Sequence, residues 1–198
     1  MPYKRRKSHK IRNALAAIVI AIILVSVITV VANRLSTGPP ANAPNGAKIL
    51  LETTMGNITI QLYNDMPITA GNFLNLTEHG IYDGTTFNRV AAGFVIQGGD
   101  TTAKGITVPP IKDELPNKHS NVAGAVAMAK TSQPNSATGQ FFINLKDNSA
   151  TLDADYSVFG QVIAGMDVVN KIGQVPTTPA GDGTPNQNIT IVRAIVIS

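Results

Sequence analysis

The sequence predicts a mainly β domain, an antiparallel barrel or sandwich plugged by two helices, preceded by one transmembrane helix. Three observations carry that expectation. From Lys48 onward the apolar residues fall into many short segments, some alternating with period two. Two segments, 68–79 and 165–172, show helical spacing instead. Near the N-terminus, residues 14–32 form a 19-residue apolar run broken only by Ser26 and Thr29.

That run comes first in the chain. As a helix it extends roughly 28 Å at about 1.5 Å per residue, close to the thickness of a bilayer's hydrocarbon core. Soluble helices carry a polar face, and this one has none. Six of the 16 Lys and Arg residues precede it (Lys4, Arg5, Arg6, Lys7, Lys10, Arg12), and only Arg34 closely follows. By the positive-inside tendency, residues 1–13 form a basic cytoplasmic tail and the remainder is translocated. The run exceeds the usual h-region of about 7–15 residues, which favours an uncleaved signal anchor. The small residues Val30, Val31 and Ala32 leave signal-peptide cleavage, and hence a secreted product, as the alternative. Residues 33–47, rich in Pro, Gly, Asn and Ala, read as a flexible linker.

The domain proper is residues 48–198. Strands are expected at 49–54 and 58–63, joined by Met55, Gly56 and Asn57 as a hairpin. A helix over 68–79 gathers Ala70, Phe73, Leu74 and Thr77 on one face, with Thr69 as its cap and Gly80 as its stop. Further short strands are expected at 94–97, 124–129, 140–145, 157–163 and 188–197. The second helix, 165–172, buries Val168, Val169 and Ile172. Residues 101–121 and 174–187 are Pro-, Gly- and Thr-rich and read as loops.

Charge and composition remove several function classes. The net charge of +4 resides in the N-terminal tail; from Lys48 onward there are 9 basic and 12 acidic residues, a balance of −3. A basic pI argues for nucleic acid only when the folded part carries the charge, so nucleic-acid binding is not expected. The absence of cysteine excludes disulfides, thiol nucleophiles and cysteine–zinc sites. His9, His79 and His119 are scattered without ligand spacing, and no metal site is expected.

Residues 87–100, Phe-Asn-Arg-Val-Ala-Ala-Gly-Phe-Val-Ile-Gln-Gly-Gly-Asp, are the most informative stretch. If residues 93–97 are extended, Gly93, Val95 and Gln97 face away from Phe94 and Ile96. Only a bend or bulge can then aim Phe94 and Gln97 at one groove. This segment resembles the signature of the cyclophilin-type peptidyl-prolyl isomerases. Residues 125–144 (AVAMAKTSQPNSATGQFFIN) and 152–169 (LDADYSVFGQVIAGMDVV) resemble two further blocks of that family, in its order.

The resemblance implies a closed eight-stranded antiparallel β-barrel capped by two α-helices. It implies catalysis of rotation about X–Pro bonds, without cofactor or metal, on proline-containing segments of unfolded or exported polypeptides. Arg89 matches the family's catalytic arginine, and Gln97 a polar contact to the substrate backbone. Phe94, Met128, Phe142 and Leu152 match the apolar floor and walls of the proline pocket. Ala129 and Lys130 fall where backbone groups pair with the peptide, and Gln140 matches a further groove-side polar residue. Tyr156 stands where many members have histidine, as in bacterial-type members. Thr151 stands where many eukaryotic members carry a tryptophan associated with cyclosporin binding, so weak inhibition is expected. A monomer on the outer side of a cell membrane is the implied assembly. The alternative is a non-catalytic module that holds proline-containing segments as a chaperone or scaffold.

Overall fold

The computed structural model describes residues 46–197. The basic tail, the expected membrane helix at 14–32 and nearly all of the linker lie outside these residues. Among the described residues, no helix is long and apolar enough to cross a membrane.

Ten strands form one sheet: β1 Lys48–Thr53, β2 Gly56–Leu62, β3 Phe87–Ala91, β4 Val95–Gly98, β5 Ala125–Met128, β6 Phe141–Asn144, β7 Val158–Ala164, β8 Thr177–Thr178, β9 Asp182–Pro185 and β10 Ile191–Ile197. Among the described residues three α-helices accompany them: α1 Thr69–Glu78, α2 Ser149–Leu152 and α3 Met166–Ile172. The strand order is β10-β1-β2-β7-β5-β6-β4-β3-β9-β8, and every pairing is antiparallel.

This corrects the expectation of a closed eight-stranded barrel. The ladder has two ends, because the outer side of β3 is taken by β9, with Val90 opposite Gly183 and Ala91 opposite Asp182. An isolated bridge between Thr86 and Thr190 brings the start of β3 beside β10 without extending into a ladder. The hairpin β8–β9 was expected to be loop. Its Pro, Gly and Asp residues mask the strand preference of its threonines, and pairing with neighbouring backbone imposes the extended conformation.

Strands β1 and β2 form as their alternation dictates: Ile49, Leu51, Ile58, Ile60 and Leu62 are buried. Helix α1 buries the expected Ala70, Phe73, Leu74 and Thr77, and also Thr69, Gly71, Asn72 and Leu76. Its start differs from the expectation. Thr69 makes no capping bond; instead the Glu114 carboxylate accepts from the amides of Ile68 (3.1 Å) and Thr69 (2.7 Å). A charge from 45 residues away thus satisfies donors that a helix leaves open at its first turn.

The inner core is aromatic. Phe73 sits 4.9 Å from both Tyr82 and Phe159 and meets Phe141 edge-on at 5.2 Å. A second apolar cluster of Ala91, Val95, Ala125, Ala127, Phe142, Leu152 and Val158 includes Tyr63, Phe94, Ala129 and Tyr156 at its margin. This second cluster underlies the candidate site.

Candidate active site

Strand register assembles the site. Opposed residues of an antiparallel pair project to the same face. Arg89 on β3 lies opposite Gln97 on β4, Gln97 opposite Phe142 on β6, and Phe142 opposite Ala127 on β5. One row across four strands therefore presents Arg89, Gln97, Phe142 and Ala127 together. The next row, Phe87, Gly98, Phe141 and Met128, faces the inner core.

A bulge makes the two rows compatible. Phe87 and Arg89 are two apart and would share a face in a regular strand. Between them β3 advances two residues while β4 advances one, so Phe87 turns inward and Arg89 outward. Phe94 reaches the same groove by another route. It occupies a turn, its amide donating to the Ala91 carbonyl (3.0 Å), with Gly93 at φ +67°. Side-chain alternation begins only at Val95, so Phe94 escapes it. The Phe94 carbonyl is fixed in turn by the Leu145 amide (2.9 Å) and Asn148 Nδ2 (3.0 Å).

These residues enclose a hollow of roughly 190 Å³, lined by Arg89, Phe94, Val95, Gln97, Ala129, Lys130, Phe142, Leu152 and Tyr156. Phe142 and Tyr156 meet edge-on with centroids 5.4 Å apart. A second hollow of about 250 Å³ shares Gln97, Ala129 and Lys130 and adds Thr131, Ser136, Thr138 and Gln140. Gln97 Nε2 donates to Gln140 Oε1 at 2.8 Å on the boundary. The Ala129 amide donates to the Gln140 carbonyl (2.9 Å), so it is already engaged.

Met128 is the exception among the expected residues. It is 1% exposed, lines neither hollow, and stands in the inner row opposite Phe141. The floor position belongs to Val95, which the sequence reading passed over. Alternation placed Val95 on the Gln97 face, so the signal was present.

Two ion pairs stand at the groove, through Arg89 and Lys130. Arg89 Nε and Nη2 donate to the two oxygens of Asp182 at 2.8 and 2.7 Å, and Nη1 reaches Gln97 Oε1 at 3.4 Å. Lys130 Nζ pairs with Asp113 at 2.7 Å, with the two side chains 11% and 12% exposed. That pairing turns the lysine's charge away from an apolar guest. Below α2, burial of Asp153 opposes its charge, but donors from the Asn121 backbone and side chain and from Ser120 outweigh it. Its carboxyl is held below the usual range. Neither Asp113 nor Asp182 carried any sequence signal, since their partners lie 17 and 93 positions away. Among the described residues, no cluster of His, Asp or Glu has a metal-binding arrangement.

The hollow sets the apolar side chains Phe94, Val95, Phe142 and Leu152 beside the Gln97 amide and the Arg89 guanidinium in a mainly β domain. The family model described as cyclophilin type peptidyl-prolyl cis-trans isomerase/CLD matches residues 48–196, and the chain belongs to that family of enzymes. It is 46% identical over 168 residues to a peptidyl-prolyl cis-trans isomerase of Acinetobacter baylyi, covering 80% of this chain and 89% of that protein. It is 38% identical over 185 residues to peptidyl-prolyl cis-trans isomerase A of Dickeya dadantii, covering 88% and 97%. A solved cyclophilin type isomerase of Cryptosporidium parvum superposes with a TM-score of 0.70 at 27% identity, covering 77% of this chain and 98% of that one. Another crystal structure of that protein, in the presence of the dipeptide Ala-Pro, gives 0.69 at 28% identity, covering 76% and 99%.

Proposed function

We propose that this isomerase turns X–Pro bonds by aiming the Arg89 guanidinium at the prolyl nitrogen of a segment whose proline ring fills the 190 Å³ hollow. Amide resonance sets a barrier of about 18–20 kcal/mol, and rotation uncouples the nitrogen lone pair from the carbonyl. A donor placed at that lone pair stabilises the twisted state more than either planar isomer, which is what lowers a barrier. No bond is made or broken. The apolar lining of Phe94, Val95, Phe142, Leu152 and Tyr156 holds the ring, with burial of such a group contributing about 1–3 kcal/mol. Gln97 fixes the peptide backbone on one side, and the second hollow takes a neighbouring side chain.

The observation that carries this reading is the presence of Arg89 on the rim of the same hollow as the aromatic walls. The proline-containing dipeptide present with the Cryptosporidium relative supports the substrate class. The basic tail, the 19-residue apolar run and the Pro- and Gly-rich stretch after it support a bacterial-type enzyme anchored in a cell membrane with its domain facing outward. Its clients are exported chains whose proline-limited folding otherwise takes tens of seconds or longer.

The test is a proline-limited refolding assay with the full-length chain. Acceleration by the wild type and a loss of about 10²–10³-fold in kcat/KM for Arg89→Ala are expected. Measurable affinity for proline peptides without acceleration would instead favour a holding module. Proteolysis of intact cells reports the side on which the domain lies.

A further inference from the structure

We infer that Asp182 is a positioning residue for Arg89, locking the guanidinium in the orientation that the proposed chemistry needs. The inference rests on the role proposed for Arg89.

A guanidinium has five N–H groups in one plane. Asp182 takes two of them, on Nε and Nη2, as a fork at 2.8 and 2.7 Å. Gln97 takes one on Nη1, at a longer 3.4 Å. Two N–H groups, one on each terminal nitrogen, are left without a protein partner among the described residues. The free one on Nη2 lies on the end edge of the plane, next to the fork. With the side edge held by a carboxylate, the plane is fixed and Nη1 stays on the Gln97 side, where Arg89 lines the hollow.

The carboxylate is itself held in place. Asp182 pairs with Ala91 across the β3–β9 ladder, and the neighbouring Gly181 carbonyl accepts from the Ala92 amide at 2.7 Å. At Gly183, a Cβ would lie 2.5 Å from the Thr178 carbonyl group, so only glycine lets β8 and β9 close this tightly. Asp182 lines neither hollow, so its side chain offers no contact to a bound peptide there.

Two effects of the carboxylate oppose each other. Its charge weakens the field of the guanidinium at the prolyl nitrogen, while its fork fixes the donors. The Asp182 side chain is 54% exposed and that of Arg89 38%, so solvent screens the first effect. Bidentate geometry is retained regardless, and orientation prevails. Loss of the fork releases Arg89 into rotamers that miss the nitrogen, which lowers turnover and leaves ring binding intact.

The experiment measures kcat and KM separately, on a proline-containing peptide, for the full-length chain in detergent. Asp182→Ala is expected to lower kcat about three- to tenfold at unchanged KM. Asp182→Glu should recover part of the loss. In an Arg89→Ala background, Asp182→Ala should cost nothing further. The Nε–H proton resonance of Arg89, sharp and shifted downfield in the wild type, should broaden into exchange in Asp182→Ala. A wild-type kcat in Asp182→Ala alongside an inactive Arg89→Ala overturns the positioning role alone. An equal further loss in the Arg89→Ala background also overturns it, since Asp182 then acts through the fold. Full activity in Arg89→Ala overturns the role of Arg89 and this inference with it.

Discussion

Glu114 is the residue whose removal most directly probes how the start of α1 is held. Its carboxylate receives the Ile68 and Thr69 amides and the Thr69 hydroxyl, and it sits at the start of α1. Thr69 is 1% exposed, so water cannot readily replace the lost acceptor there. Loss of a helix N-terminal acceptor costs about 1–2 kcal/mol, and loss of the negative charge at that end about 0.3–1 kcal/mol more. Glu114→Ala should therefore destabilise the domain by about 1.3–3 kcal/mol, and Glu114→Gln, which keeps one acceptor oxygen, by about half as much. With a urea slope of about 2 kcal/mol per molar, the Ala midpoint falls by about 0.7–1.5 M. The flanking residues brace the groove, Asp113 through Lys130 and Asn117 through the Tyr156 carbonyl and the Val158 amide. Because those contacts survive, kcat/KM of the folded fraction should not change. A loss below about 0.5 kcal/mol for Glu114→Ala would refute the account, showing that solvent serves the helix start as well as the carboxylate does.

Three other expectations are open to direct measurement. The Asp65 carboxyl is held below its ordinary value, chiefly by the hydrogen bond with His119 at 2.8 Å. A lowered folded pKa contributes stability that is present above the unfolded value, about 3.9, and lost as pH falls through the folded value. His119→Phe, which keeps a ring on Tyr63, should be less stable than wild type at neutral pH, the gap closing below about pH 4; denaturant midpoints against pH check this. Tyr82 is fully buried and its hydroxyl donates to the Gly139 carbonyl at 2.9 Å, so Tyr82→Phe should cost about 1–2 kcal/mol by urea unfolding. Cyclosporin should inhibit weakly because Thr151 is small and exposed beside Leu152, and Thr151→Trp should tighten inhibition in the refolding assay.

Much of the site was legible because it follows from a local pattern. The segment around Arg89 and Gln97 carried its motif within a few positions, and neighbours in a strand such as Phe141 and Phe142 alternate faces. Phe142 lines the hollow and Met128 does not, both for one reason. Which of Ala127 and Met128 faces the groove depends on register with β6, and a one-residue choice of register exchanges the faces. The bend that residues 93–97 needed is the turn at Gly93 and Phe94, whereas the bulge between Phe87 and Arg89 was not anticipated and is encoded by no residue type. Asp113, Glu114 and Asp182 were invisible. Each acts on a residue far along the chain, and an isolated carboxylate in a loop looks like any solvated one.

By itself the sequence determined where the chain is apolar, where it alternates, and which groove chemistry its motif implies, because these depend on neighbours within a few positions. Tertiary structure alone decided that the ladder stays open at β10 and β8, and that Val95 rather than Met128 floors the hollow. It also decided that a carboxylate on β9 grips Arg89. Those outcomes turn on which strands meet and in what register, and pairing energy between segments 90 residues apart leaves no mark on either segment alone.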